Sequence, residues 1–456
     1  MNTIASSRSV TWILPCLAGL LGACSLQRYP AGDAPPDPST QVTLPADQMG
    51  GEIHVVGPGD IVAGAIVTNV LPLCPPGDAT QPYRTGHSLA VDPAAPNLVY
   101  VGVEGRGLFR SRDGGATWKR SIAGMKAHYV EATSQLCFDE FATTAIDPRD
   151  SKHVCVGVRG GAGTTRDPLL AANGVYCSHD GGSRWVHRTP DTVNTAVNAL
   201  AIDPDTTNQI YAGVSGAAPH SGAHVQHRGV INTSYDDGRS WTELAFAWGF
   251  SPGMEVSDLL VAQSWPRRLY AGAPVITSVT PAHAYEGAQF GLLTSTDGGL
   301  TWDALDHGMG DANSARAITR VAASSFKPER LLVATGNIPP AAGPYFYWTA
   351  DGGSTFHQPT TPSDLALDIF AFDPSDTSGR HALGLSTWGD KLWETQDGGQ
   401  TWQDRGPTLP EDAHDRPVRL TSLVWSTDPS VLYLAGSHAS VYRSGDFGAT
   451  WKKVLT

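Results

Sequence analysis

One eight-residue phrase, Ser/Thr-x-Asp-x-Gly-x-Thr/Ser-Trp, recurs seven times with small departures and leaves this chain few architectures to fold into. The copies occupy 111–118, 178–185, 234–241, 295–302, 349–356, 395–402 and 444–451, the fifth ending in Phe356 where the others end in Trp. Asp113 and Asp446 stand 333 residues and six steps apart, a pitch of about 55. That pitch is long for a solenoid turn and suits a four-stranded sheet with its loops. The chain therefore reads as a radial array of seven small sheets. A single such unit cannot bury its own faces, so the ring is the folding unit.

Each phrase has the chemistry of a tight hairpin turn. The Asp accepts backbone N–H groups, the Gly supplies positive φ, and the Trp opens the next strand. Seven equivalent acids on hairpin tips serve geometry rather than calcium binding or catalysis. Upstream lies a second phrase, an apolar run ending in Asp-Pro and followed by an alternating strand: LAVDPAAPNLVYVG (89–102), TAIDPRDSKHVCVG (144–157) and LAIDPDTTNQIYAG (200–213). It recurs without a gap at 259–272, and more loosely around Pro328, Asp373-Pro374 and Asp428-Pro429. One unit thus reads as strand A, an Asp-Pro turn, strand B, a B–C loop, strand C, the box, and strand D beginning at the Trp. The expected fold is all-β: a single seven-bladed β-propeller of four-stranded antiparallel blades over 87–456, with a box at each C–D hairpin and box Trp residues filling the gaps between blades.

Ahead of the ring, residues 1–24 combine a short polar start carrying Arg8 with an apolar run too short to span a membrane, closing on Leu21-Gly22-Ala23-Cys24. This ending fits a bacterial lipobox, so Cys24 is expected to be acylated and to become the mature N-terminus. An exported protein anchored in the cell envelope follows, with Ser25 favouring the outer membrane of a Gram-negative host. Residues 25–51 are Pro-rich and polar and read as a tether; 52–86 is expected to pack on the ring. Four cysteines remain in the ring and the segment before it. Cys155 on strand B and Cys177 on strand C of the second blade are sheet neighbours and are expected to bond; Cys74 and Cys137 then pair by elimination. With Lys and Arg at 31 against 44 Asp and Glu, the net charge is −13. No basic stripe accompanies it, which excludes nucleic acid as a partner and leaves the membrane to the lipid anchor alone.

The boxes resemble the Asp-box, or BNR, repeat of sialidases, two-propeller xyloglucanases, the sortilin luminal domain and the photosystem II assembly factor. This resemblance spans 87–456 and implies architecture more than activity, because those relatives range from hydrolases to receptors. It also implies that the boxes lie on the face away from any ligand. The Arg-Ile-Pro motif that sialidases carry ahead of the first box is absent, and seven boxes exceed their six blades. Xyloglucanases work in a cleft between two propellers, and this length supplies one. The photosystem assembly factor matches in blade count.

Long loops mark the functional surface of such a ring. Three B–C loops are expanded, at 160–174, 216–229 and 273–291, and belong to consecutive blades 2, 3 and 4. The D–A segment 119–141 joins them and carries Tyr129, Asp139 and Glu140. A glycosidase needs two carboxylates at a set separation; the candidates are Asp139, Glu140, Asp258 and Asp368, the last two heading apolar inner strands. Binding candidates on the same face are Tyr129, His224, His227, Trp248 and His283. The histidines lack the carboxylate or Cys partners of a metal site and read as a solvated loop, so no metal or cofactor is expected. Two functions are compatible with this pattern: binding of a protein or glycan partner through the loops of blades 2–4, or hydrolysis or lyase cleavage of an extracellular polysaccharide by a carboxylate pair.

Overall fold

The computed structural model describes residues 88–103, 106–130, 135–137, 140–159, 173–189, 196–206, 208–215, 230–244, 256–262, 268–272, 291–305, 309, 317–336, 346–360, 362, 365–386, 391–405, 420–436 and 440–455, together with short strands at Val10–Ile13, Ala23–Pro30, Val42–Pro45, His54–Gly57 and Asp60–Val62. Among these residues there is no helix. Seven blades of antiparallel strands form a ring, a seven-bladed β-propeller. Each blade is built from consecutive strands A to D. Blade 2, for example, runs Glu140–Ile146, Val154–Arg159, Gly174–Ser178, Val186–His187. In blade 5 strand D shrinks to a single bridge, Trp348 to His357, beside Ala317–Ala323, Leu331–Gly336 and Phe346–Thr349.

Strand A of each blade packs against strand A of the next, so these strands line the centre. The ring closes by side-chain packing rather than by a shared strand: Leu89, Val99 and Val101 of blade 1 form one apolar cluster with Val431, Tyr433 and Val441 of blade 7. Strand B is buried along its whole length in blades 1, 4, 6 and 7, at Val99–Val103, Leu269–Gly272, Ala382–Leu385 and Leu432–Gly436, as expected of a strand sandwiched between neighbouring sheets.

The box turn has one geometry throughout. In the first copy, Ser111 Oγ donates to Asp113 Oδ1 at 2.8 Å and accepts the Gly115 amide at 2.7 Å. Asp113 then accepts the Thr117 amide at 2.8 Å and its hydroxyl at 2.6 Å. The hydroxyl of Thr117, its amide and Ser111 together hold the Asp113 carboxyl down at about 2. Asp236, Asp297 and Asp446 sit in the same cage, and the hydroxyls of Ser240, Thr301 and Thr450 contribute most to holding each of them at about 2. The fourth position takes positive φ even where it is not Gly: Asp237 at 63° and Phe447 at 59°. Its amide donates to the A–B turn of the same blade, as from Gly114 to Asn97 O (2.9 Å), Asp237 to Asn208 O (3.0 Å) and Phe447 to Ser430 O (3.0 Å). Both hairpin tips of a blade are thereby tied together on one face, leaving the B–C and D–A connections to the other.

The box also seats each blade on the one before. A Cβ added to Gly182 would lie 2.7 Å from Ser121 Oγ and 2.9 Å from Tyr100 Cε1, both of blade 1. The box aromatics fill the same seams, as the sequence leads one to expect: Trp402 is 3% exposed and meets Phe346 of blade 5 edge-on at 5.7 Å.

Cys155 and Cys177 are direct cross-strand partners, their Cα atoms 4.1 Å apart and their sulfurs bonded, as the strand order requires. Cys74 lies outside the described residues. Cys137 ends the strand Gln135–Cys137, which pairs with Lys126–Val130. The segment 119–141, expected as a loop, therefore contains a hairpin, and Lys126–Val130 also runs parallel beside His54–Gly57. Short β-branched and aromatic runs such as HYV were too brief to stand out from a loop in the sequence.

Candidate functional site

The centre of the ring carries the described charges that resemble a site. Strand A of four blades holds a register shift near its start, between Phe141 and Thr143, Val197 and Ala199, Ile318 and Arg320, and Leu420 and Ser422. A bulge re-aims side chains at a sheet edge. After the blade-5 bulge, Arg320 reaches past blade 6 and donates from Nη2 to the Thr421 carbonyl of blade 7 at 2.8 Å. Burial pushes its guanidinium down to about 10, and the charge of Asp368 works in the opposite direction. Asp368 precedes strand A of blade 6, Ile369–Phe372, and its amide extends that strand by donating to Leu385 O at 3.0 Å.

Asp258 opens strand A of blade 4, Asp258–Val261. Its Oδ1 accepts the Leu259 amide at 2.9 Å and its Oδ2 the Val321 amide of blade 5 at 2.8 Å. Beside it, Ser257 Oγ donates to Ile318 O at 2.6 Å. Ser257 and Asp258 thus take up an acceptor and a donor on the buried inner edge of the next blade's strand A. Burial raises the Asp258 carboxyl to about 6, against the pull of its two amides. The sequence placed Asp258 as a candidate acid at the head of an apolar strand; the structure gives it a second task, an inter-blade staple.

Of the four carboxylate candidates, then, Asp258 and Asp368 head inner strands of blades 4 and 6 as expected, with Arg320 between them in blade order. Glu140 is the first residue of strand A in blade 2. Asp139, His224, His227, Trp248 and His283 lie outside the described residues, and Tyr129 belongs to the strand Lys126–Val130. Sequence reasoning missed Arg320 and Asn198. Arg320 sits inside the strand AITRVAA, where an alternating pattern gives no hint that a bulge turns it inward. Asn198, 8% exposed in the blade-3 bulge, has neither its amide oxygen nor its nitrogen hydrogen-bonded within the protein.

The expanded connections fall where the sequence set them. Strand B ends at Arg159, Ser215 and Gly272 in blades 2, 3 and 4, and strand C resumes only at Gly174, Val230 and Leu292. In blades 1 and 7 the same connection spans only 104–106 and 437–439.

Fold and centre together define a single seven-bladed β-propeller whose box face is stapled and whose other face bears an uneven set of loops. No family model matches the chain, and no curated protein sequence matches it. Among solved structures it is similar to the GH74 enzyme of Niastella koreensis, at 16% identity and a TM-score of 0.56, over 82% of this chain and 56% of that one. It is similar also to an ancestral GH74 enzyme, at 18% identity and a TM-score of 0.57, over 82% of this chain and 48% of that one. YCF48 bound to a D1 peptide aligns with 82% of this chain and 99% of its own at 14% identity, with a TM-score of 0.48. The chain spans about half the length of the two GH74 enzymes. The likeness to the two GH74 enzymes shows the propeller fold.

Proposed function

We propose that the chain is an exported, lipid-anchored propeller of Asp-box repeats that holds a protein or glycan partner on the face opposite the boxes. The observation that carries this reading is the run of long B–C connections on three consecutive blades, against three-residue links in blades 1 and 7. A structural ring needs only short links, whereas these connections run to 14, 14 and 19 residues on three consecutive blades, chain length that a binding surface would use. The described acids argue for binding over catalysis, since both oxygens of Asp258 are committed to amides and Asp368 faces the charge of Arg320. Acylation at Cys24 would tether the ring to the envelope, and labelling with a radioactive or alkyne fatty acid, lost in Cys24→Ser, tests that part.

The binding reading is tested by replacing 160–173, 216–229 or 273–291 with a three-residue link and measuring retention on glycan arrays and on envelope-protein extracts. Loss of a ligand in the shortened variants, with an unchanged unfolding midpoint, supports it; full retention in all three refutes it.

A second reading, glycoside hydrolysis, draws on the fold likeness to GH74 enzymes and on Asp258, whose carboxyl near 6 lies in the range of a general acid. It requires release of reducing sugar from a polysaccharide, abolished by Asp258→Asn and by Asp368→Asn.

A further inference from the structure

Blade 2 carries a pattern that neither its fold nor the loop face uses. His153-x-Cys155 leads into strand B and Cys177-x-His179 leads out of strand C, and because Cys155 pairs with Cys177 the four side chains share one face of the sheet. His153 and His179 stack at 4.6 Å. Asp237 of the blade-3 box closes over them: its Oδ1 lies 3.0 Å from His153 Nε2 without a directional hydrogen bond, and its Oδ2 takes His179 at 2.8 Å and Arg188 at 2.7 Å. His153, Cys155, Cys177 and Asp237 are all buried, and one ligand atom from each falls within 4.8 Å of every other.

We propose that this cluster is a redox-gated metal site: with the Cys155–Cys177 disulfide reduced, the two thiolates, His153 Nε2 and Asp237 Oδ1 bind one divalent ion of the zinc class. A dithiol reductant supplies two electrons and two protons, splitting the S–S bond into two thiols and closing into its own cyclic disulfide; the ion then displaces both thiol protons. Two sulfurs, a nitrogen and an oxygen form a set that suits tetrahedral zinc, whose ligand atoms sit about 3.3–3.8 Å apart, so once the disulfide is reduced the two sulfurs move apart while the most distant ligand atoms close in by about 1 Å. The surrounding groups are those that orient metal ligands. Asp147 Oδ2 lies 3.3 Å from His153 Nδ1 and leaves Nε2 facing inward, 3.7 Å from Cys155 Sγ. Arg188 and His179 hold the other Asp237 oxygen.

Two comparisons within the ring separate this from an ordinary structural staple. Blade 6 repeats the turn contact, His381 Nδ1 to Asp373 at 2.8 Å, but has Leu383 paired with Glu394 where blade 2 has the two cysteines. Asp237 stands at the positive-φ position that five other boxes give to Gly, so its carboxylate is placed there against backbone preference.

The test uses the chain carrying Cys16→Ser, Cys24→Ser, Cys74→Ser and Cys137→Ser, which leaves Cys155 and Cys177 as its two cysteines, reduced with dithiothreitol, desalted without oxygen and titrated with Co²⁺. One equivalent is expected to give a thiolate-to-cobalt charge-transfer band with tetrahedral d–d absorption, displaced by Zn²⁺. The oxidised chain and Cys155→Ser/Cys177→Ser should give none. Asp237→Gly restores the residue most boxes use and keeps the turn; it should weaken cobalt binding about tenfold or more, as should His153→Ala, while His381→Ala leaves it unchanged. No thiolate band on the reduced chain, a band indifferent to Asp237→Gly and His153→Ala, or loss of the native circular dichroism on reduction alone each overturns the proposal.

Discussion

Two adjacent glycines of one box provide a measurement of what the repeat contributes to the ring. Gly181 and Gly182 both take positive φ, 65° and 77°, so an Ala at either carries a similar backbone cost of about 1–2 kcal/mol. Their surroundings differ. A Cβ on Gly181 meets nothing nearer than 3.6 Å, whereas one on Gly182 lies 2.7 Å from Ser121 Oγ, 2.9 Å from Tyr100 Cε1 and 3.3 Å from Trp185 Cζ2. The two aromatic rings are almost wholly buried, at 0% and 1% exposure, and have nowhere to retreat. Ser121 is held as well, accepting the Trp185 indole N–H at 3.2 Å and donating to the Gly182 carbonyl. Overpacking of this kind adds about 1–3 kcal/mol. Gly181→Ala is therefore expected to cost about 1–2 kcal/mol and Gly182→Ala about 2–5 kcal/mol, read as the shift in guanidinium chloride midpoint at unchanged m-value. Equal losses, or a larger loss at Gly181, would mean that the box acts as a local turn and not as the seat of one blade on another.

Three further outcomes follow from the same contacts. Because burial raises Asp258 from 3.8 to about 6, the folded state binds its proton more tightly than the unfolded chain; the carboxyl favours the fold below pH 4 and this contribution is lost as pH rises to 6. Asp258→Asn removes that dependence, so the stability of the variant relative to the parent should climb by about 1–3 kcal/mol between pH 4 and 6.5 in parallel denaturation curves, and a flat difference contradicts the raised pKa. The box acids have the opposite sign: held near 2, Asp113, Asp236, Asp297 and Asp446 contribute stability that is complete above pH 4 and lost as pH falls toward 2, so acid titration followed by tryptophan fluorescence should show cooperative unfolding in that window, shifted upward in Asp446→Asn. Trp402→Ala opens a cavity in the blade 5–6 seam and should cost about 3–5 kcal/mol, clearly more than Trp118→Ala, whose ring is only half-buried, when the two are compared by chemical denaturation.

The repeat made most of the fold legible. A turn whose Asp, Gly and hydroxyl must coincide is written in the sequence, and seven copies in step fix the blade count, the strand order and the Cys155–Cys177 pairing. What lies between the copies was less legible. Arg320 and Asn198 owe their places to bulges in strand A, which shift the alternation by one residue and leave no compositional trace. Asp258 was visible as a misplaced acid, yet its partner amide belongs to Val321, 63 residues away on another blade. Asp237 was hidden differently: inside SYDDGRSW it passes for a variant turn residue, and only the packing of blade 3 on blade 2 brings it to His153 and the cysteines.

The most direct measurement of the functional reading is incubation of the chain with xyloglucan and a panel of other polysaccharides, following retained ligand and released reducing ends together. The binding account predicts a ligand from this panel or from the envelope-protein extracts that is held without cleavage, and lost when 216–229 or 273–291 is shortened. Release of reducing sugar that disappears in Asp368→Asn contradicts it.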